Sequence, residues 1–143
     1  NGYPLKQLYK NLAELKTKSI TVFLDACFSG QSADKNGTPL IQNASPVFIS
    51  KGTPRDVGKI NVFAAASERQ LSSWDPEAGH GIFTRYVLAG LAGEADEDRN
   101  REITAKELRD YVSRQVRKAA RRMHGREQEP WLEGDDGFVV SSF

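Results

Sequence analysis

Residues 19–30 read SITVFLDACFSG, and this stretch decides the predicted fold. Its apolar, β-branched part, residues 20–24, predicts a strand, and the nearly continuous hydrophobicity is typical of a strand buried on both faces of a parallel sheet. The polar and glycine-containing residues that follow end the strand abruptly. Since ligands bind at the carboxyl ends of the strands in open α/β sheets, Asp25 and Cys27 lie where a site is expected.

The rest of the chain alternates between helical and strand patterns, which predicts an α/β fold with a mostly parallel sheet. Residues 31–58 are rich in Gly, Pro, Asn and Ser turn signals and predict a long flexible loop. The other predicted elements are a helix over 5–15, a buried strand over 60–66, a helix over 81–92, a long helix capped by Thr104, and a final strand over 137–140.

Length and composition exclude several classes of protein. A chain of 143 residues is the size of one domain, and 20 basic against 19 acidic residues exclude a wholesale electrostatic binder of nucleic acid. No apolar run approaches the ~18 residues of a membrane span. The single cysteine excludes an intramolecular disulfide and a zinc site built on thiolates. A reducing, cytoplasmic location is therefore expected.

Cys27 admits two interpretations. A lone cysteine is most often a small buried hydrophobe. Its place after a strand, followed by Ser29 and Gly30, instead favours an accessible thiol that a base can reach. Asp25 is a poor activator for it, because a neighbouring carboxylate disfavours the thiolate, and this acid fits recognition of a substrate charge better.

Residues 25–30, DACFSG, resemble the nucleophile motif of caspase-like cysteine peptidases. They are nearer to the metacaspase pattern Asp-x-Cys-His-Ser-Gly than to that of caspases, and Phe28 replaces the metacaspase His. Residues 73–75 (SWD) are similar in placement to the caspase Ser-Trp-Arg, while residues 79–84 (GHGIFT) and 128–130 (QEP) resemble bacterial members. The resemblance spans residues 19–140.

This resemblance implies a caspase-like, three-layer α/β/α fold of the bacterial, orthocaspase type. Residues 1–143 would be the C-terminal part of a single peptidase domain whose first strands lie upstream. The implied function is limited proteolysis of protein or peptide substrates, with Cys27 as the nucleophile. That chemistry requires no cofactor and involves no membrane.

The resemblance also implies a set of substrate-binding residues: Asp25, Ser73, Trp74 and Asp75. Asp25 and Asp75 stand where caspases have Gln and Arg, so two acids predict a basic residue before the scissile bond. A carboxylate can bind Arg through two parallel hydrogen bonds, and we therefore expect cleavage after Arg or Lys. Asp75 is equally well explained as the start of a turn before Pro76, and Trp74 as a core residue.

The catalytic histidine is expected roughly 50 residues before the cysteine, followed by Gly. The chain has two histidines, and neither fits, because the resemblance places His80 at the start of a helix and His124 in a basic helix end. We therefore expect the histidine in an upstream segment, on the same or a cleaved chain, and expect residues 1–143 alone to be inactive and poorly soluble. The alternatives are a catalytically dead caspase-like binding or signalling module and an unrelated α/β binding domain.

Residues 96–107 match the spacing of an EF-hand calcium loop through Asp96, Asp98 and Asn100. Arg101 stands where the sharp turn favours Gly, and Glu107 is also explained by the capping box of the last helix. No metal is assigned, and calcium activation stays open because metacaspases often need calcium.

Basic residues recur along the last predicted helix and in the loop. The helix residues form a solvated face or a docking surface for an acidic regulatory partner; nucleic acid is a weaker fit at a net charge of +1. Lys35, Lys51 and Arg55 are candidate points of self-cleavage in the loop 31–58, which is otherwise simply mobile.

Overall fold

The computed structural model describes residues 3–25, 59–66, 72–75 and 79–143, with only the backbone of Trp74. The helices are α1 (Leu5–Ala13), α2 (Ile82–Ala89) and α3 (Ala105–His124), and a π-helical turn (Gly90–Glu94) continues α2. The strands are β1 (Ile20–Leu24), β2 (Ile60–Ala64), β3 (Trp74–Asp75), β4 (His80–Gly81), β5 (Glu102–Thr104), β6 (Trp131–Glu133) and β7 (Val139–Ser142). The expected loop 31–58 lies outside the described residues.

The main sheet has the strand order β1-β2-β6. β1 and β2 are parallel, with Ile20 opposite Ile60 and Leu24 opposite Ala64. β6 is antiparallel to β2, with Leu132 opposite Phe63. The two strands predicted from apolar runs therefore form the expected parallel pair, and the α/β class is confirmed. The expected burial of β1 on both faces is wrong, because its residues are at most half-buried and Phe23 is 38% exposed.

Apolar side chains cover both faces of this sheet. On one face, Ile60 and Val62 of β2 pack with Tyr9 of α1. On the other face, Phe63 and Ala65 belong to a larger core that contains the buried sides of α2 and α3. All five residues of β2 are buried. The sheet thus lies between helices on both sides, which confirms the three-layer α/β/α architecture.

The end of the chain differs from the sequence-based expectation. The predicted final strand over 137–140 is shifted to β7, which pairs with β5 in a separate ribbon and not with the main sheet. The third strand of the main sheet is instead β6, which has only three residues, one of them charged, and shows no periodicity. The predicted helix over 81–92 also changes at Gly90 into the π-helical turn.

Helix α3 begins with the predicted capping box. The amide of Glu107 donates to Thr104 Oγ1 at 3.2 Å, and the amide of Thr104 donates to Glu107 Oε2 at 2.9 Å. The apolar side of the helix is buried at Leu108, Tyr111, Val112, Val116 and Ala119. The helices of the described residues include none that is long and apolar enough to cross a membrane.

We predict that Glu107→Gln destabilises the protein at neutral pH by about 0.3–1 kcal/mol, the usual effect of a charge at a helix N-terminus. Partial burial raises the pKa of the Glu107 carboxyl, but hydrogen bonds from Thr104 and the amides of Glu97 and Asp98 outweigh it, so the pKa lies below its usual value. The ionised carboxylate therefore stabilises the fold above the unfolded-state pKa, and this contribution is lost as the pH falls through the lowered value.

Urea unfolding of the full-length protein between pH 3 and 7 measures this effect. The difference between wild type and Glu107→Gln should shrink towards the acidic end. Glu102→Gln, an exposed change in the adjoining strand, is the control and should leave the pH profile unchanged. A difference that stays constant with pH would contradict the prediction.

Candidate functional site

The carboxylate of Asp25 stands directly after β1, at the carboxyl end of the parallel strands, and is held from two sides. Ser72 Oγ donates to its Oδ1 at 2.6 Å. The amide and the hydroxyl of Thr84 donate to its Oδ2 at 3.2 and 2.6 Å. Thr84 is in the first turn of α2, so Asp25 caps the N-terminus of a helix that lies 59 residues further along the chain.

Gly81 makes this long-range cap possible. It is the N-cap residue of α2 and has no side chain with which to cap the helix itself. A Cβ atom added at Gly81 would lie 2.1 Å from Asp25 Oδ2. The carboxylate therefore occupies the space that any other residue at position 81 would fill.

Ser73 is fixed by a buried amide side chain. Its backbone amide donates to Gln128 Oε1 at 2.8 Å, and Gln128 Nε2 donates to the carbonyl of Ala65 at 2.8 Å. The carbonyl of Ser73 accepts from the amide of Ile82 at 2.9 Å. Gln128 is fully buried, so both of its bonds are shielded from water. The predicted substrate-binding segment is thus tied to the end of β2 and to the start of α2.

Asp75 lies in the short ribbon of β3 and β4 and is 1% exposed. Arg85 Nη1 donates to its Oδ2 at 2.6 Å. In the register of the ribbon, Trp74 is opposite Gly81 and Asp75 is opposite His80. The structure therefore brings Ser73, Trp74 and Asp75 to the same α2 N-terminus as Asp25, although Asp75 already has a cationic partner within the chain.

The predicted nucleophile, Cys27, lies outside the described residues, two positions after Asp25. The candidate self-cleavage points Lys35, Lys51 and Arg55 also lie outside them. Both hypotheses therefore remain sequence-based predictions.

The two histidines lie in different elements. His80 is in β4, half-buried, with Nδ1 3.1 Å from the carbonyl of its neighbour Gly81. His124 is the last residue of α3 and is exposed. That neither serves as the catalytic base stays a prediction.

The loop whose spacing matches an EF-hand brings three carboxylates together: ligand atoms of Asp96, Asp98 and Glu107 lie within 4.8 Å of one another. The amides of Asn100 and Arg101 donate to Asp96 at 3.1 Å, and Asn100 Nδ2 donates to Asp98 at 3.1 Å. Arg101 adopts the left-handed conformation, with φ 70°, at the position where a glycine is expected. Oxygen ligands of this kind suit calcium, but hydrogen bonds within the loop already engage these oxygens, and no metal is assigned to the loop.

Four residues of the site were not predicted from the sequence: Ser72, Thr84, Arg85 and Gln128. Their partners are 10 to 63 residues away in the chain, so local patterns do not reveal them. Thr84 and Gln128 do lie in stretches, 79–84 and 128–130, that resemble bacterial caspase-like peptidases, and this is the signal that the sequence carries for them.

A family model described as the caspase domain matches residues 5–136 of the chain. The match covers the main sheet, the cap of α2 by Asp25 and the buried Gln128. Searches of curated proteins and of solved structures found no match.

We predict that Gly81→Ala destabilises the protein by about 1–3 kcal/mol, because the new methyl group collides with Asp25 and breaks the cap of α2. The matched control is Gly137→Ala, whose added Cβ atom would meet Asp135 at an ordinary contact distance of 3.5 Å. Thermal and urea unfolding of both variants in the full-length protein measure the difference. Equal stability of the two variants would show that Asp25 does not fill the space beside Gly81.

Proposed function

Because the chain belongs to the caspase domain family of cysteine peptidases, we propose that it carries the nucleophile of an endopeptidase that cleaves proteins after Arg or Lys. The supporting observation is the carboxylate of Asp25. It follows the nucleophile-bearing strand directly, belongs to an exposed residue, and is oriented by hydrogen bonds from Ser72 and Thr84. An oriented carboxylate two residues before Cys27 suits a substrate cation next to the scissile bond.

In the proposed reaction, the Cys27 thiolate attacks the carbonyl carbon of the scissile bond. A histidine takes the thiol proton and passes it to the leaving amine, which leaves a thioester on Cys27. Water then hydrolyses the thioester and restores the thiol. The amide of Cys27 helps to stabilise the oxyanion. These steps use side chains, a backbone amide and water.

We assign the proton transfer to a histidine from another segment of the peptidase domain. His80 lies within the β3–β4 ribbon, and His124 ends the helix on one face of the sheet, so neither follows a strand of the main sheet. Among the described strands, β1 pairs on one side only, with β2. Its other edge has the backbone groups to receive a further strand, and such a strand can carry the histidine to the same end of the sheet.

The two acids differ in their suitability for binding a substrate cation. Asp75 is buried and bound to Arg85, whereas Asp25 is an exposed residue whose hydrogen bonds within the described part of the chain come from neutral donors. We therefore propose Asp25 as the main determinant of specificity. Ser73 is 1% exposed and its amide and carbonyl are bound to Gln128 and Ile82, so of the segment 73–75 we keep only Trp74 as a further substrate-binding residue.

We predict that Cys27→Ala abolishes cleavage by the full-length protein, lowering turnover by roughly 10³-fold or more. The substrates are matched peptides with Arg, Lys or Gln before the scissile bond, and turnover is followed by mass spectrometry. Unchanged turnover in the variant would refute the mechanism. A folded full-length protein that cleaves none of the peptides would favour the alternative of a catalytically dead binding or signalling module.

We predict that Asp25→Asn lowers kcat/KM for the Arg peptide by about 10–100-fold, the loss of a charge-assisted hydrogen bond. The Gln peptide should change far less, so the preference for Arg over Gln falls. Thr84→Val is the control, because it weakens the cap of α2 and keeps the carboxylate. If Thr84→Val lost as much of the preference for Arg over Gln as Asp25→Asn does, Asp25 would act by stabilising α2 and not by binding the substrate cation.

A further inference from the structure

Helix α3 carries more positive charge than its acidic neighbours balance. Three of its arginines have acidic partners: Arg109 binds Asp110 and Asp136, Arg117 binds Glu129, and Arg121 binds Glu127. Arg114, Lys118 and Arg122 are exposed, and none of them forms an ion pair with an acid in the described part of the chain. A surplus of three cations therefore remains on this helix.

These three cations form one row. They are four residues apart in the sequence, so they lie along one side of α3 and rise by about 6 Å from one to the next. Successive side chains on one face of an extended peptide are two residues apart and advance by about 6.6–6.8 Å. The row thus matches the spacing of carboxylates at alternate positions of an extended chain.

A groove of about 1220 Å³ lies beside this row and runs between α3 and the segment 129–132. Arg114, Lys118 and Arg122 line one side, and Pro130, Trp131 and Leu132 provide apolar surface on the other. The groove also borders β6, which pairs with β2 on one side and with no other described strand. The two acids that line the groove, Asp110 and Glu129, are already bound to basic side chains of α3.

We propose that this α3–β6 groove binds an acidic polypeptide segment in extended conformation, with carboxylates at alternate positions facing Arg114, Lys118 and Arg122. The apolar wall accommodates the intervening side chains, and the edge of β6 offers backbone groups to an added strand. The proposal does not depend on the proposed peptidase activity, since none of these residues belongs to the candidate site.

Other occupants fit the groove less well. A second copy of the chain would bring two such rows of unneutralised cations together, which is repulsive. Nucleic acid would gain from aromatic stacking, but the indole of Trp131 is held at the sheet, where its Nε1 donates to the carbonyl of Ala66 at 3.2 Å. The combination of a strand edge, an apolar wall and a spaced cationic row favours a polypeptide.

The test measures binding of a labelled peptide of alternating Glu and Thr to the full-length protein by fluorescence anisotropy. The peptide contains no Arg or Lys, so the proposed peptidase activity does not cleave it. The triple variant Arg114→Gln, Lys118→Gln, Arg122→Gln should bind it at least tenfold more weakly. The matched control, Lys6→Gln, Lys10→Gln, Lys16→Gln, removes the same charge from exposed positions of α1 and its C-terminal flank and should bind within twofold of wild type.

A second peptide has the same alternating Glu-Thr sequence but carries a methyl group on each backbone nitrogen of its central residues, so it keeps the charges and lacks the N–H groups that strand addition needs. We expect it to bind at least fivefold more weakly than the Glu-Thr peptide. Equal binding by the two triple variants, or equal binding of the two peptides, would overturn the proposal. Tighter binding of a single-stranded oligonucleotide, or a dimer that the α3 variant abolishes, would also overturn it and assign the groove to nucleic acid or to a second copy.

Discussion

The burial of β2 on both faces is the constraint from which the rest of the described structure follows. Its residues alternate between the core under α1 and the core under α2 and α3, so the strand cannot shift by one residue without exchanging the two cores. The polar exception, Asn61, is 3% exposed and satisfied, because its Oδ1 accepts from the amide of Asp135 at 2.8 Å. β1 pairs with one edge of β2, and Leu24 lies opposite Ala64. The position of β2 therefore sets where β1 ends.

The cap of α2 connects the buried core to the candidate site, because it binds Asp25 to the first turn of the helix. Ile82 and Phe83, at the start of α2, are almost fully buried and cannot move without disturbing the larger core. Asp25 is bound to the same helical turn through Thr84. The position of Asp25 is therefore fixed by the packing of α2 against the larger core.

What could be predicted from the sequence depended on how local the interaction is. The capping box of Thr104 spans four residues, so spacing alone revealed it. The apolar runs of β1 and β2 revealed the parallel pair. β6 could not be predicted from the sequence, because a three-residue segment with one charged residue forms a strand only through its pairing with β2. The bond between Asp75 and Arg85 escaped prediction for a similar reason, since it requires the ribbon that brings β3 beside α2.

The ion pair with Arg85 distinguishes Asp75 from Asp25, although the sequence suggests the same substrate-binding role for both acids. Asp75 is buried and already bound to Arg85, so a substrate cation would have to displace that arginine to reach it. A carboxylate offers about four acceptor positions, and the bonds from Ser72 and Thr84 occupy three on Asp25. The remaining acceptor position is on Oδ1. It can accept one hydrogen bond from a substrate cation, but not the two parallel hydrogen bonds from Arg that were expected from the sequence. If Asp25 binds the substrate cation, it therefore has little geometric reason to prefer Arg strongly over Lys.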